Sequence, residues 1–398
     1  MAHVVSDLWR RGKPTGLFIL GGGLVLISGY VLARYVVVPR CPGHYFGYTS
    51  WLSNWDGQWY QYIAHHGYDY AGDIGGYGPQ NFFPLYPLLG YVVEAITPLN
   101  GQVPLVAISW LAGWAFVFVW MRYAAVRIAA PSQHAELWGL ALILLWPVSY
   151  FLRVAYAESL YLLLLTLFFY GCAKEWRVVY LVIVAGLLTA TRPTGMLVCA
   201  ALGVHLLRRY RNEPPSKRIV ASLALAAIAA WGLYAYLLYQ VVEFGDAFVF
   251  LRKNAAWSYG MGADAFFTRW QDMLTFRPVW EFVVDGSLLR PSSYAWALQN
   301  RVLWVVAGVL IVIGHIKKWL NPEEMTFCVL TWLLVYYTNG PKNMESIGRY
   351  VSTLSPLYLV MTRMLIALPI AARVAILAVS AALLAFQSAQ FRLWGCVF

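Results

Sequence analysis

Asp56 stands in "NWDGQWYQYIAHHGYDY", residues 54–70, with Trp51, Trp55, Trp59 and Tyr60 around it in the chain. A carboxylate in such a partly desolvated aromatic setting gains affinity for a proton, which suits a general base that must take one from a hydroxyl. The same residue at the head of a helix also serves as an N-cap for the amides of "GQWYQYIAHH" at an interfacial aromatic belt, and residue type alone does not separate the two uses. His65 and His66 close the stretch, before Gly67 and Tyr68. Neutral imidazoles hydrogen-bond sugar hydroxyls or a phosphate, and at a helix C-terminus they equally answer the helix dipole. Adjacent helical residues point about 100° apart, so the pair is not expected to ligate one metal together.

Cations recur further along. "RVAYAESL" carries Arg153 and Glu158, "TRPTG" carries Arg192, and "NGPKNMESIGRY" carries Lys342 and Arg349. Fixed cations opposite a carboxylate are what a site needs to hold an anionic leaving group beside a base, and the planar fork of arginine suits phosphate. Taken singly, each arginine is read as well by snorkelling or lipid-headgroup contact. The 19 Trp and 27 Tyr are read mainly as interfacial belts, with stacking on the apolar face of a sugar a use for the surplus in residues 39–80.

These residues must be positioned by a membrane-embedded frame. Of 398 residues, 61% are hydrophobic and 12% charged, against about a quarter charged in soluble domains. Apolar segments at about 14–38, 103–125, 136–152, 157–173, 178–207, 219–243, 297–316, 325–338, 351–368 and 370–391 approach the roughly 17 to 25 residues of a spanning helix and lack the alternation of a membrane barrel. An all-α polytopic membrane protein is expected, as a single domain over 1–398. The first segment, "GLFILGGGLVLISGYVLARYVVV", is too long for a signal-peptide core and lacks a small-residue cleavage site, so it reads as a retained anchor. The five cysteines are scattered without metal-like spacing, so neither a disulfide framework nor a zinc site is expected. The net charge of +11 resides mostly in short loops, where it sets orientation; nucleic acid binding is not expected.

The basic block "RRYRNEPPSKR", 208–218, marks a cytoplasmic loop, together with Arg10, Arg11, Lys13, Lys317, Lys318, Arg363 and Arg373. These fall on one side if the short, proline-bearing stretch 82–96 lies along the surface and 178–207 is a hairpin broken at "TRPTG", where Pro193 disfavours helix at Arg192. The result is eleven crossings with the N-terminus inside. The outer face then receives the first loop, 39–102, the tips near Tyr156 and Arg192, the loop 244–296 with short amphipathic helices, and the loop 339–350.

The ordered set "WDGQWYQYIAHHGY", "NFFPLYPLL", "AYAESLYLLLL", "ATRPTGM", "FGDAFVFLRKNAAW" and "GRYVSTLSPLYL" resembles the GPI mannosyltransferase II (PIG-V) family, in particular the prokaryotic PIG-V-like members of the GT-C glycosyltransferase superfamily. The resemblance implies a GT-C fold with an extracytoplasmic active site roofed by amphipathic helices of the first external loop. It also implies inverting transfer of mannose from a polyprenyl-phosphate donor. Asp56 matches the family's loop aspartate, the base. Arg349 in "GRY" and Arg192 in "TRPTG" match positions facing the donor phosphate, and Lys342 is placed with them. Glu158 matches the glutamate of an "SES"-like motif, with Ala157 replacing its first serine. Asp246 and Trp257 match "GDP...W", with Ala247 where proline is usual. Trp55, Tyr60, His65 and His66 join Glu158, Asp246 and Trp257 as substrate-binding candidates.

The lack of an evident nucleotide-binding fingerprint fits the lipid-linked donor that the resemblance implies. No cofactor is expected; dependence on a divalent ion stays open, with Asp56, Glu158 and His66 able to supply ligands but no dedicated cluster. The expected partners are the polyprenyl-phosphate sugar, a glycolipid, glycan or protein acceptor, and membrane lipids in a prokaryotic plasma membrane. Transfer of another hexose, a lipid or solute transporter, and a non-catalytic scaffold are the alternative readings.

Overall fold

Apolar runs that cannot offer their backbone to water must close its hydrogen bonds internally, and helices do so within one segment. The computed structural model describes residues 2–35, 46, 51–70, 77–128, 134–257, 263–284, 295–340 and 344–393, and no strand occurs among them. The helices are α1 (Ala2–Val31), α2 (Asp56–His66), α3 (Leu85–Ile96), α4 (Val103–Arg127), α5 (Ala135–Leu144), α6 (Glu158–Ala173), α7 (Val178–Thr191), α8 (Leu197–Arg209), α9 (Pro215–Ile228) and α10 (Trp231–Phe244). There follow α11 (Val249–Trp257), α12 (Ala263–Thr275), α13 (Arg277–Val284), α14 (Ala295–Ile316), α15 (Pro322–Asn339), α16 (Ile347–Val351), α17 (Ser355–Ile366) and α18 (Ile370–Arg392).

Among the described residues, four stretches are long and apolar enough to cross a membrane: Gly12–Arg34, Val103–Arg127, Ala297–Ile316 and Ile370–Arg392. Helices α9 and α10, bent by 49° at a short break, make a fifth if taken as one span. Every segment expected to cross does contain helix, yet α5, α6, α7 and α17 are apolar helices of only 10–17 residues. The shortening has local causes. Pro147 stands where α5 has already ended, and a 3-10 turn, Ser149–Leu152, takes over the rest of the expected 136–152 span. Helix α3 has 12 residues, or roughly 18 Å at 1.5 Å per residue, well short of a hydrocarbon core about 30 Å thick.

The expected break in 178–207 falls between α7 and α8. Arg192 is extended, with φ −155° and ψ 152°, as the following proline requires. The two helices run antiparallel, because Arg209 at the end of α8 donates from Nη1 to the carbonyl of Trp176, just before α7, at 2.6 Å. Gly195 permits the tight reversal: a Cβ there would lie 2.1 Å from the Leu188 carbonyl oxygen.

Helices α4 and α6 pack together at the centre, α6 also lies against α7, and α8 lies against α15. Phe116, Trp120, Phe168, Phe169 and Phe327 fill the interior between them. Helix α1 packs on α18, so the first and last helices of the described chain meet. The first loop is pinned to that pair by Asn54, whose Nδ2 donates to the Phe391 carbonyl at 2.9 Å.

Candidate active site

The site is assembled where α2 begins. Trp55 has φ 57°, a left-handed conformation costly for a bulky residue, and Asp56 opens the helix immediately after it. The turn is held by Tyr156, whose hydroxyl donates to the Asn54 carbonyl at 3.0 Å and accepts the Asp56 backbone N–H at 3.1 Å. Asp56 therefore does not act as an N-cap; that position belongs to Trp55. Its carboxylate is instead directed at a guanidinium.

Arg349 Nη1 donates to Asp56 Oδ2 at 2.5 Å, and Arg349 Nε lies 3.3 Å from Glu158 Oε1. Arg192 Nη1 donates to the same Glu158 oxygen at 2.7 Å. Asp56, Arg349, Glu158 and Arg192 thus form a chain of alternating charge drawn from α2, α16, α6 and the α7–α8 break. Glu158 sits in the first turn of α6, where a negative charge faces the positive end of the helix dipole. Arg192 faces the ring of Tyr350 at 4.8 Å, and Arg349 faces Tyr350 at 5.2 Å and Tyr156 at 5.5 Å. Asp56 is the most accessible member, its side chain 19% exposed against 7% for Arg349.

Burial opposes charge on Arg349, but Asp56 and Glu158 more than offset it and hold the guanidinium well above its ordinary value. Burial, and after it the Glu158 carboxylate, push the Tyr60 phenol well above its usual range, so Tyr60 offers a neutral hydroxyl.

Three of the four, Asp56, Arg349 and Arg192, line a cavity of about 250 Å³, with Trp55, Tyr60, Asn81, Phe250, Asn339 and Tyr350 among its other walls. That is slightly below the roughly 300–1,000 Å³ of typical small-molecule pockets. Asn81 ends a 3-10 turn, Pro79–Asn81, just ahead of the expected surface stretch. Neither its Oδ1 nor its Nδ2 has a hydrogen-bond partner among the described residues. Such an amide has both donor and acceptor capacity to spend on a ligand.

The structure thus gathers six of the residues singled out from sequence: Asp56, Arg349, Arg192, Glu158, Trp55 and Tyr60. It separates others from them. His65, at the far end of α2, lies 3.3 Å from Glu94 Oε2, and His66 packs beside the Tyr62 ring at 4.7 Å. Nine helical steps, roughly 14 Å, separate Asp56 from His65. Asp246 pairs with Arg252 and accepts the Phe248 N–H at 2.9 Å; it is not on the cavity wall, although Phe250 is. Trp257 ends α11, but its side chain lies outside the described residues, as does all of Lys342. Arg153, grouped by sequence with the cations of the site, turns away from it: it is 2% exposed and covers the Phe18 ring at 3.9 Å. Asn81, Tyr350 and Asn339 were not singled out, although Asn81 begins the "NFFPLYPLL" motif. Among the described residues no three His, Cys, Asp or Glu side chains converge as a metal set.

No family model matches the chain. Over 158 residues it is 28% identical to the GPI alpha-1,6-mannosyltransferase 2 of Homo sapiens, a stretch covering 38% of this chain and 31% of that protein. The match therefore spans about a third of the length of this curated relative, whose name agrees with the family that the motifs resemble. Two crystal structures of the Archaeoglobus fulgidus oligosaccharyltransferase are similar to this chain. The complex with Zn and sulfate has a TM-score of 0.48 and 11% identity, over 94% of this chain and 53% of that one. The form tethered by a disulfide to an acceptor peptide containing the NVT sequon has a TM-score of 0.47 and 13% identity, over 96% and 55%.

Proposed function

We propose that this protein is a membrane glycosyltransferase of the PIG-V-like GT-C type that moves mannose from a polyprenyl-phosphate-mannose donor to an acceptor hydroxyl on the extracytoplasmic face, with inversion. The observation that carries this reading is the contact of Asp56 with Arg349 at 2.5 Å on the wall of a cavity that Arg192 also borders. A base and the cations for an anionic leaving group are adjacent there, as a displacement at a sugar carbon requires. The motif resemblance and the similarity to a GPI mannosyltransferase support mannose as the sugar.

In the proposed reaction the acceptor hydroxyl oxygen attacks the anomeric carbon from the face opposite the phosphate. Asp56 accepts the hydroxyl proton, the bond from the anomeric carbon to the phosphate oxygen breaks, and the electron pair leaves with the polyprenyl phosphate. Arg349 and Arg192 meet the charge that grows on that phosphate; preorganised cations in a site shielded from water are effective at this. In the free protein both arginines are engaged by carboxylates. A donor phosphate that takes over Arg349 therefore frees an Asp56 oxygen to receive the proton. Glu158 keeps both guanidinium groups in place through the exchange. The Asn81 amide and the Tyr60 hydroxyl are suited to sugar hydroxyls, and the Trp55 ring to the apolar face of the sugar. Lys342 is a further candidate for the phosphate and Trp257 for the substrate, and Asp246, His65 and His66 are candidates for substrate contacts outside the cavity wall. The basic block 208–218 supports a cytoplasmic N-terminus and an outward-facing site in a prokaryotic plasma membrane.

The test is transfer by purified protein from synthetic polyprenyl-phosphate-mannose and, in parallel, polyprenyl-phosphate-glucose, to acceptors in a membrane extract, with the anomeric configuration of the product read by NMR. Transfer of mannose in preference to glucose, with inverted configuration, is expected. Preference for glucose would reassign the sugar, and retained configuration would remove the single displacement.

A further inference from the structure

At the opposite end of the α7–α8 hairpin from Arg192, two concave surfaces flank the turn 174–177. One is a cavity of about 550 Å³ lined by Arg208, Arg209, Arg211, Arg218, His205 and Glu175. The other, also about 550 Å³, is an apolar groove lined by Trp176, Tyr180, Ile183 and Val184, with Arg177 at its head. Tyr180, Ile183 and Val184 follow helical spacing along one face of α7, so the groove runs from the basic end along the axis. The 2.6 Å hydrogen bond from Arg209 to the Trp176 carbonyl joins the two walls.

The charges in the basic cavity are only partly answered. Arg208 donates to Glu323 Oε2 at 2.6 Å, and Arg209 lies 3.5 Å from Glu175. Neighbouring Glu213 and Lys217 pair with each other at 3.0 Å. Arg211 and Arg218 make no side-chain hydrogen bond or ion pair among the described residues, whereas His205, 2% exposed, lies between two carboxylates, its Nε2 3.8 Å from Glu175 and its Nδ1 3.8 Å from Glu323. Two uncompensated guanidinium groups, Arg211 and Arg218, thus face a cavity beside an apolar channel. A ligand with an anionic phosphate and a hydrocarbon chain complements both features.

We propose that this end of the hairpin binds an anionic phospholipid, its phosphate headgroup held by Arg211 and Arg218 and an acyl chain lying in the groove along α7. Because α7 has 14 residues, this site lies roughly 21 Å along the helix from the α7–α8 break. It is distinct from the cavity at Asp56.

The experiment uses full-length protein purified in a neutral detergent and titrated with phosphatidylglycerol, phosphatidylcholine or inorganic phosphate, with bound molecules counted by native mass spectrometry. Retention of phosphatidylglycerol over phosphatidylcholine is expected, with no displacement by an equal concentration of inorganic phosphate. The Arg211→Gln/Arg218→Gln double variant is expected to bind phosphatidylglycerol roughly tenfold more weakly or worse. Ile183→Trp, which fills the groove without altering charge, is expected to weaken it too, and Arg211→Gln alone, at an exposed position, provides a variant that retains the wild-type fold. Equal retention of the two lipids, displacement by inorganic phosphate, or undiminished binding in the double variant would overturn the proposal.

Discussion

Arg349 and Asp56, 293 positions apart in the chain, are joined by a hydrogen bond of 2.5 Å between Nη1 and Oδ2. The pair links the head of α2 to α16, and through Glu158 it reaches Arg192 at the α7–α8 break. The expected phosphate-holding groups and the expected base are thus partners of each other in the free protein. In the reaction proposed above, exchange of those partners lets one compact cluster serve both leaving group and nucleophile.

Glu158 answers two arginines with one carboxylate and is almost fully buried. Glu158→Gln leaves two close guanidinium groups with only Asp56, the partner of Arg349, as a carboxylate, and removing one member of a buried ionic cluster costs on the order of 3–5 kcal/mol. A clear fall in thermal unfolding temperature, with loss of transfer, is expected. An unchanged melt would mean the network contributes little to the fold.

Arg192→Lys preserves the charge and discards the fork. Charged hydrogen bonds contribute roughly 1.5–3 kcal/mol, so kcat/KM is expected to fall roughly tenfold to a hundredfold while the protein remains folded. Wild-type kinetics in this variant would remove Arg192 from phosphate recognition.

Asn81→Ala deletes an amide that has no partner among the described residues. Folding therefore loses little, and a neutral hydrogen bond to a sugar hydroxyl amounts to about 0.5–1.5 kcal/mol. A rise in KM for the donor of roughly threefold to tenfold, with kcat nearly constant, is the expected split in steady-state kinetics; a pure kcat effect would point to a role in the chemical step instead.

Gly195→Ala places a methyl group 2.1 Å from the Leu188 carbonyl oxygen. The backbone must move, at about 1–3 kcal/mol for overpacking, and Arg192 moves with it. Both the unfolding temperature and transfer are expected to drop, although the substituted residue touches no substrate.

Much of this arrangement was legible in the sequence where the chemistry is local. Pro193 disfavours helix at Arg192 through a purely local clash, and the break is found there. The expectation of eleven crossings rests on apolar length, which hydropathy measures, whereas Pro147 and the 3-10 turn at 149–152 decide where helix stops. The cap reading of Asp56 failed because the strained Trp55 occupies that position. Tertiary contacts hid the rest. Whether an arginine faces phosphate, carboxylate or ring depends on elements far away in sequence. Arg349 found Asp56, whereas Arg153 found Phe18. Asn81 gave no signal of its own, since an asparagine before two phenylalanines has no chemistry until a cavity opens beside it.

The central claim is tested most directly by Asp56→Asn, assayed for mannose transfer from polyprenyl-phosphate-mannose at matched protein and matched helical content. The amide keeps the size of the side chain and a contact to Arg349 but cannot accept the acceptor proton as a base. Loss of a general base typically costs roughly 10²–10⁴ in rate, so kcat is expected to fall by at least a hundredfold with donor binding retained. Transfer at the wild-type rate by a folded Asp56→Asn protein would contradict the account.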